Sequence, residues 1–228
     1  MAGVFITFEG IDGCGKSTQL RMLTGELRAR GLEVVTTREP GGTTLGQKLR
    51  AALLDVQEQV DPLAELLVFA ADRAQHVRAV LRPSLAEDKI VISDRYADAT
   101  AAYQGHGRGF APELIDQIVQ LATDGLKPDL TLLFDLSIAE SAVRTRRRVA
   151  AKRSDRLDSE KVEFHERVRQ AYLDIAKTHS DRVRVIDASG SAQQTHELVM
   201  KIVIPFLEKR GLISEAVVRS SGTTPRSI

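Results

Sequence analysis

Gly10-Ile11-Asp12-Gly13-Cys14-Gly15-Lys16-Ser17, followed by Thr18, carries the spacing G-x-x-x-x-G-K-[S/T]. That spacing serves to hold phosphate. Glycines let main-chain N–H groups curl around phosphate oxygens, and a helix starting at the lysine adds its N-terminal dipole. Lys16 is long enough to reach the β- and γ-phosphates of a nucleoside triphosphate, and the Ser17 hydroxyl is a ligand for Mg2+. A second oxygen donor is Asp94, which ends the run Ile90-Val91-Ile92-Ser93. An aspartate there either helps hold Mg2+ or caps a helix, and Arg95 beside it favours the metal role. A third group of charges comprises Arg144, Arg146, Arg147, Arg148, Lys152, Arg153 and Arg156. Read alone, such a run is a solvated helix face or a nucleic-acid patch. The variable loop positions Ile11, Asp12, Gly13 and Cys14 supply no cation, however. Phosphoryl transfer between a nucleotide and a phosphate acceptor gathers about six negative charges, of which one Mg2+ offsets two. An arginine-rich lid supplies the rest.

These groups need elements that carry them to one place. Five β-prone runs recur at 4–8, 33–37, 90–93, 130–135 and 183–187. Helical periodicity fills 16–30, 45–55, 62–82, 112–124, 138–150, 158–179 and 192–209. Strands alternating with helices predict an α/β fold whose parallel sheet is covered on both faces. The nearly all-apolar runs at 90–93 and 130–135 suit strands buried on both sides. Ligands of such sheets bind beyond the carboxyl ends of the strands. The phosphate loop, Arg38-Glu39-Pro40-Gly41-Gly42-Thr43 and Asp94-Arg95-Tyr96 all fall there. Gly105-His106-Gly107-Arg108-Gly109 follows no strand, so it reads as a mobile loop rather than a dinucleotide fingerprint, and His106 receives no catalytic role. Residues 214–228 read as a frayed tail, which leaves 1–213 as one domain with its lid at about 143–156.

Composition narrows the classes. A chain of 228 residues supports one domain with its own core. Its 32 basic and 31 acidic side chains nearly cancel, which argues against a protein that coats nucleic acid. Cys14 is the single cysteine, so no disulfide framework is available, and a lone thiol at a free loop position reads as a small filler. The chain has no asparagine, so it lacks the Asn-Lys-x-Asp element of guanine-specific switches. No apolar run reaches membrane-spanning length and no leader pattern precedes the first strand. The expectation is a soluble, cytoplasmic protein with neither a membrane nor a nucleic-acid partner.

Five motifs in order are Phe8-Glu9-Gly10-Ile11-Asp12-Gly13, Arg38-Glu39-Pro40-Gly41-Gly42-Thr43, Phe69-Ala70-Ala71-Asp72-Arg73, Asp94-Arg95-Tyr96 and Ala102-Tyr103-Gln104-Gly105. Together they resemble the bacterial thymidylate kinases over about residues 4–210. The resemblance implies the three-layer sandwich of P-loop NTPases with five parallel strands, a homodimer, and Mg2+-dependent phosphorylation of dTMP to dTDP by ATP. It also implies roles. Phe69 stacks on thymine and Arg73 bonds its carbonyl edge. Thr100 and Gln104 read the polar edge of the base, and Tyr103 crowds the sugar 2′ position. Arg50 and Arg95 hold the acceptor phosphate, Asp12 lies near the acceptor sugar and phosphate, and Glu39 supports that site or its metal. Lys16, Asp94, Arg95 and the lid residues Arg146, Arg147 and Arg153 form the catalytic group. Arg144 and the loop at Ala188-Ser189 lie beside adenine.

Each role has a plainer competitor. Phe69 and Arg73 share a helix face at four-residue spacing, yet a Phe there also suits a core, an Arg there a salt bridge. Arg50 also suits a solvated helix. The acceptor phosphate, with a second pKa of about 6, is mostly a dianion at neutral pH, so no general base is required. Two other functions use the same parts. A kinase for another nucleoside monophosphate or a deoxynucleoside is separated by the Phe69, Arg73, Thr100 and Gln104 set. A regulatory or nucleic-acid-stimulated ATPase is disfavoured by balanced charge and single-domain length.

Overall fold

A computed structural model describes residues 3–56, 58–149 and 160–213, with the side chains of 147–149 outside that description. The tail 214–228 and the lid residues 150–156 therefore lie outside the described residues. Five strands, β1 (Val4–Glu9), β2 (Val34–Arg38), β3 (Ile90–Asp94), β4 (Leu130–Asp135) and β5 (Val183–Asp187), form one parallel sheet in the order β2-β3-β1-β4-β5. All five β-prone runs become strands, with ends displaced by at most one residue. The helices are α1 (Lys16–Ala29), α2 (Thr44–Leu54), α3 (Pro62–His76), α4 (Arg82–Ala86), α5 (Ala97–Thr100), α6 (Pro112–Thr123), α7 (Ile138–Val149), α8 (Val162–Thr178) and α9 (Ala192–Lys209).

The two-residue period of a strand explains why both faces are covered. Val4, Ile6 and Phe8 of β1 join the larger buried cluster with Leu23 and Leu27 of α1 and Val199, Val203 and Leu207 of α9. Phe5, one step out of phase, joins the smaller cluster with Val77, Leu81, Val91 and Tyr96. The ring of Tyr96 meets Phe5 edge-on at 4.9 Å between centroids.

Two helical segments depart from the periodicity. The helix expected over 62–82 continues to Ala86 through a π-helical turn, Val77–Leu81, closed by Arg82 N–H donating to the Val77 carbonyl. Pro83 has no N–H to give and its ring crowds the carbonyl four residues back, so the chain widens there. The segment expected to be a mobile loop is helical instead: α5 runs into a π-helical stretch, Ala101–Gly107. Gly105 and Gly107 are buried, and a Cβ on Gly107 would lie 2.7 Å from Cε2 of Phe164. Gly107 serves the close approach of α8, and Gly105 packs beside Ile115 of α6, so neither marks a flexible loop.

The central strands β1 and β3 bring the chemistry together. Phe8 lies beside Asp94 in their register, and Arg95 N–H continues the ladder to the Phe8 carbonyl at 2.9 Å. The turn after β1 is the phosphate loop; the turn after β3 begins with Arg95.

Candidate active site

Gly10, Gly13 and Gly15 all have positive φ. At Gly10 the requirement is also spatial, since a Cβ would sit 2.4 Å from the Phe134 carbonyl oxygen. Gly15, with φ of 98°, caps α1, and the N–H groups of Thr18 and Gln19 return to its carbonyl. Ile11 and Cys14 are buried under the loop. Lys16 is folded over it, its ammonium donating to the carbonyls of Gly10 and Ile11 at 2.9 Å each. Ser141 on α7 donates its hydroxyl to the Asp12 carbonyl at 2.6 Å, tying the base of the lid to the loop. No sequence motif singled out Ser141, because it is 129 residues away in the chain.

Ser17 donates its hydroxyl to Oδ2 of Asp94 at 2.9 Å. The pair is a hydroxyl and a carboxylate, hard oxygen donors of the kind Mg2+ takes, and it borders the loop where phosphates fit. Among the described residues no cluster of three or more His, Cys, Asp or Glu could hold a metal alone. Mg2+ commonly keeps water and phosphate oxygens beside one or two carboxylates, so the residues that would hold it here are Ser17 and Asp94. A cleft of about 410 Å³ opens beside the pair, lined also by Arg21 on α1 and by Thr37, Arg38 and Gly41 at the end of β2.

Arg95 is the hub. It has φ of 74°, a left-handed conformation, and its carbonyl accepts from the Ser93 hydroxyl at 2.8 Å. One guanidinium nitrogen donates to the Gly10 carbonyl at 3.0 Å and to the Tyr172 hydroxyl at 3.3 Å. The other donates to Oδ1 of Asp12 at 3.0 Å and to the Tyr103 hydroxyl at 3.2 Å. Burial opposes its charge, but Tyr103, Asp12, Tyr172 and Asp94 around it raise its pKa well above the usual value. Tyr172 in turn donates to Oε2 of the fully buried Glu9 at 2.8 Å, while Oε1 of Glu9 accepts from Tyr96 N–H at 2.7 Å. Burial, with Asp98 nearby, pushes the Glu9 carboxyl up to about 8, against the pull of Arg95, Tyr172 and Tyr96. Glu9 stood inside a recognised motif without a role, and Tyr172 had no local signal at all.

A second group lines up between α3 and the α5 region. Arg73 donates through one terminal nitrogen to the Thr100 hydroxyl at 2.7 Å and through the other to the Tyr96 carbonyl at 2.8 Å. Two turns earlier on α3, Glu65 accepts from the Gln104 amide at 2.9 Å and from Arg108 at 3.1 and 3.0 Å. Contacts at 73–100 and 65–104 make the two segments antiparallel, with Phe69 between the rungs. Phe69 is half-buried and belongs to neither apolar cluster. Tyr103 is buried with its hydroxyl on Asp12 at 3.4 Å, and burial raises its pKa above the ordinary phenol value.

Glu39 closes the far end. Its Oε2 accepts from Arg73 Nε at 2.8 Å, and Oε1 pairs with Nδ1 of His76 at 2.8 Å. The salt-bridge partner of Arg73 is thus Glu39 of the loop after β2. Asp72 instead accepts from Gly41 N–H at 3.1 Å, and burial with Glu39 close by raises its pKa. Arg50 donates to the Pro40 carbonyl at 3.2 Å, which fastens α2 to the same loop.

Arg144 donates to the carbonyls of Ala188 and Ser189 at 2.9 and 3.1 Å, so the two parts expected beside adenine do meet. Residues 143–149 of the expected lid are the end of α7. Arg146 is exposed there, with Nε on the Ala142 carbonyl at 3.2 Å. The side chain of Arg147 and all of Arg153 lie outside the described residues.

A phosphate loop, an acid on the neighbouring strand and a pocket wall joined to the loop through Arg95 suit transfer between two bound nucleotides. A sequence model of the thymidylate kinase family matches residues 8–199. Thymidylate kinase of Pelobacter propionicus is 45% identical over 206 residues, covering 89% of this chain and 94% of its own. That of Desulfosudis oleivorans is 49% identical over 196 residues, covering 84% of this chain and 92% of its own. The crystal structure of thymidylate kinase from Ehrlichia chaffeensis is similar at a TM-score of 0.73 and 38% identity, over 90% of this chain and 100% of the other. Matches of that extent and identity leave one conclusion: this chain belongs to the thymidylate kinase family.

Proposed function

We propose that the chain transfers the γ-phosphoryl group of ATP directly to dTMP, giving dTDP, in the synthesis of dTTP. The observation that carries this reading is the continuity between two walls. The phosphate loop is bound through Asp12 and Gly10 to Arg95, and Tyr103 joins Arg95 to the helical rungs formed by Arg73 with Thr100 and by Glu65 with Gln104.

The loop N–H groups and the α1 N-terminus bind donor phosphates, and Lys16 turns from the Gly10 and Ile11 carbonyls to the transferring group. Ser17 and Asp94 would hold Mg2+, which when bound neutralises charge on the donor phosphates. Arg95 and Arg50 receive the acceptor phosphate, and Arg95 orients it from its anchor on the loop. Phe69 stacks on thymine while Arg73, Thr100 and Gln104 read its edge; Tyr103 crowds a 2′-hydroxyl, and Glu39 fixes Arg73. Arg144 holds the β5–α9 connection beside adenine. Arg146, Arg147 and Arg153 supply cations from the lid. No side chain acts as general base, because the acceptor is already a dianion.

The reading includes a homodimer. Leu63 and Leu67 lie exposed one turn apart on α3, with exposed Leu121 on α6, the helix packed beside it. Such an apolar face suits a second copy. No helix among the described residues is long and apolar enough to cross a membrane, and we place the enzyme in the cytoplasm. A coupled assay offering dTMP, dUMP, dCMP, AMP and GMP separately with ATP tests the reaction. Turnover should be highest with dTMP, lower with dUMP by the thymine methyl contact of about 1–3 kcal/mol. Equal turnover of AMP or GMP, or ATP hydrolysis stimulated by DNA alone, would refute it.

A further inference from the structure

Glu65 is fully buried and sits one helical turn before Phe69 and two before Arg73. Both of its oxygens accept from the Arg108 guanidinium, at 3.1 and 3.0 Å. Arg108 is itself fixed, with its guanidinium carbon 4.7 Å from the Phe164 ring centroid and a nitrogen 2.7 Å from Glu160. A carboxylate gripped this way is an acceptor with no proton to return. The Gln104 amide approaches it at 2.9 Å, so the group facing Glu65 has to be the NH₂. Turning the amide over would set its carbonyl oxygen against a carboxylate oxygen at the same distance. The Gln104 oxygen is thereby directed away from Glu65, and among the described residues it accepts no hydrogen bond.

That orientation carries information. Arg73, bonded to Thr100 four residues before Gln104, presents a guanidinium with three of its five N–H groups committed to Glu39, Thr100 and Tyr96. An acceptor at Gln104 and donors at Arg73 complement a base edge that offers an N–H beside a carbonyl. Thymine and uracil have that edge at N3 and O4. Cytosine has the reverse, a bare N3 beside an amino group. We infer that Glu65 is a positioning residue for base selection: by locking the Gln104 amide it makes the pocket accept an N3–H pyrimidine and reject cytosine. It touches no substrate and reaches the base through Gln104. The inference rests on dTMP being the acceptor and concerns how that acceptor is chosen.

The test is kcat/KM for dTMP and for dCMP in wild type, Glu65→Gln, Gln104→Leu and the double variant. A glutamine at 65 can donate or accept, so the Gln104 amide is free to turn. The dTMP to dCMP ratio should then fall about tenfold or more, a fraction of the 10⁴–10⁵ that a matched polar edge can provide. The fall should come from a higher KM for dTMP and a lower one for dCMP. In the Gln104→Leu background the same change should leave the ratio where it was. A merely structural role would depress both substrates alike and leave the ratio intact, which overturns the inference. Should Glu65→Gln not fold, a neutron structure of the wild-type protein with dTMP decides: oxygen of Gln104 on the base supports it, nitrogen on the base overturns it. A wild type indifferent between dTMP and dCMP overturns the proposed function as well. A preference that survives Glu65→Gln overturns the role of Glu65 alone.

Discussion

Replacing Arg73 tests the acceptor wall most directly, because its guanidinium holds a buried acid and is the group proposed to meet the base. The Arg73 and Glu39 side chains are each 3% exposed and 2.8 Å apart. In an Arg73→Met protein Glu39 keeps only the His76 ring, the Thr100 hydroxyl loses the Arg73 donor, and the Tyr96 carbonyl keeps only Ala99 N–H. Removing one partner of such a pair costs about 3–5 kcal/mol, since the remaining charge stays buried. Against a total stability of about 5–15 kcal/mol the variant should fold, with a narrow margin. At about 2–4 °C per kcal/mol for a chain of this size, Tm should fall by about 6–20 °C. Adding Glu39→Gln removes the orphaned charge and should recover about 2 kcal/mol of the loss. Calorimetry of the two single variants and the double one gives these values, and steady-state kinetics at a permissive temperature gives the rest. The dTMP KM should rise steeply while the ATP KM hardly moves. A Tm loss below about 3 °C, or a double variant no better than the single, would refute the buried-pair argument. A rise confined to the ATP KM would place the acceptor pocket elsewhere.

Lys16→Ala should lower turnover by several orders of magnitude with an unchanged circular dichroism spectrum; near-normal turnover would remove the phosphate-loop mechanism. Glu9, raised from 4.5 to about 8, keeps a proton in the folded protein that the unfolded chain releases between those values. Folded protein therefore binds more protons in that window, so wild-type stability falls as pH rises through it. The urea midpoint of Glu9→Gln should gain on wild type from about pH 5 to about pH 8.5, and parallel curves would contradict the shift. Leu63→Asp with Leu67→Asp should convert a dimer to monomer in sedimentation at micromolar concentration, and a monomeric wild type would dispose of the dimer face.

The fold was legible because strand signals here are local. Ile90-Val91-Ile92-Ser93 and the run 130–135 are nearly all apolar, as strands buried on both faces are. The loop was legible for the same reason: its glycines, lysine and serine are contiguous. What stayed hidden depends on groups far apart in sequence. Tyr172 reaches Glu9 across 163 residues, and Ser141 reaches Asp12 across 129. Glycines misled at 105 and 107, where a small side chain reads as flexibility; both are buried in a helical stretch, Gly107 against Phe164 and Gly105 beside Ile115. The Glu65, Phe69, Arg73 spacing was readable as one helix face, yet only the facing segment shows that Gln104 and Arg108 complete it. Arg73 was readable as either a base contact or an ion pair; Glu39 beside it establishes the ion pair, with base contact open to the same guanidinium.

One pattern runs through these buried groups and explains a near-neutral chain that handles polyanions. Three arginines on the acceptor side are each matched to an acid: Arg73 to Glu39, Arg95 to Asp12, Arg108 to Glu65. A carboxylate partner holds a planar guanidinium in one orientation before any phosphate arrives, which is where electrostatic catalysis gets its advantage over water. The three acids differ in their access to solvent. Glu39 and Glu65 are sealed, so their arginines stay paired and serve shape. Asp12 is 28% exposed on the loop itself, and Arg95 is aimed at it from a left-handed backbone that costs about 1–3 kcal/mol for a non-glycine residue. An arriving phosphate dianion can compete with a partly exposed carboxylate for a guanidinium far better than with a buried one. Arg95 is therefore the arginine of the three able to exchange its acid for substrate, and its anchor on Gly10 keeps it against the donor loop while it does so.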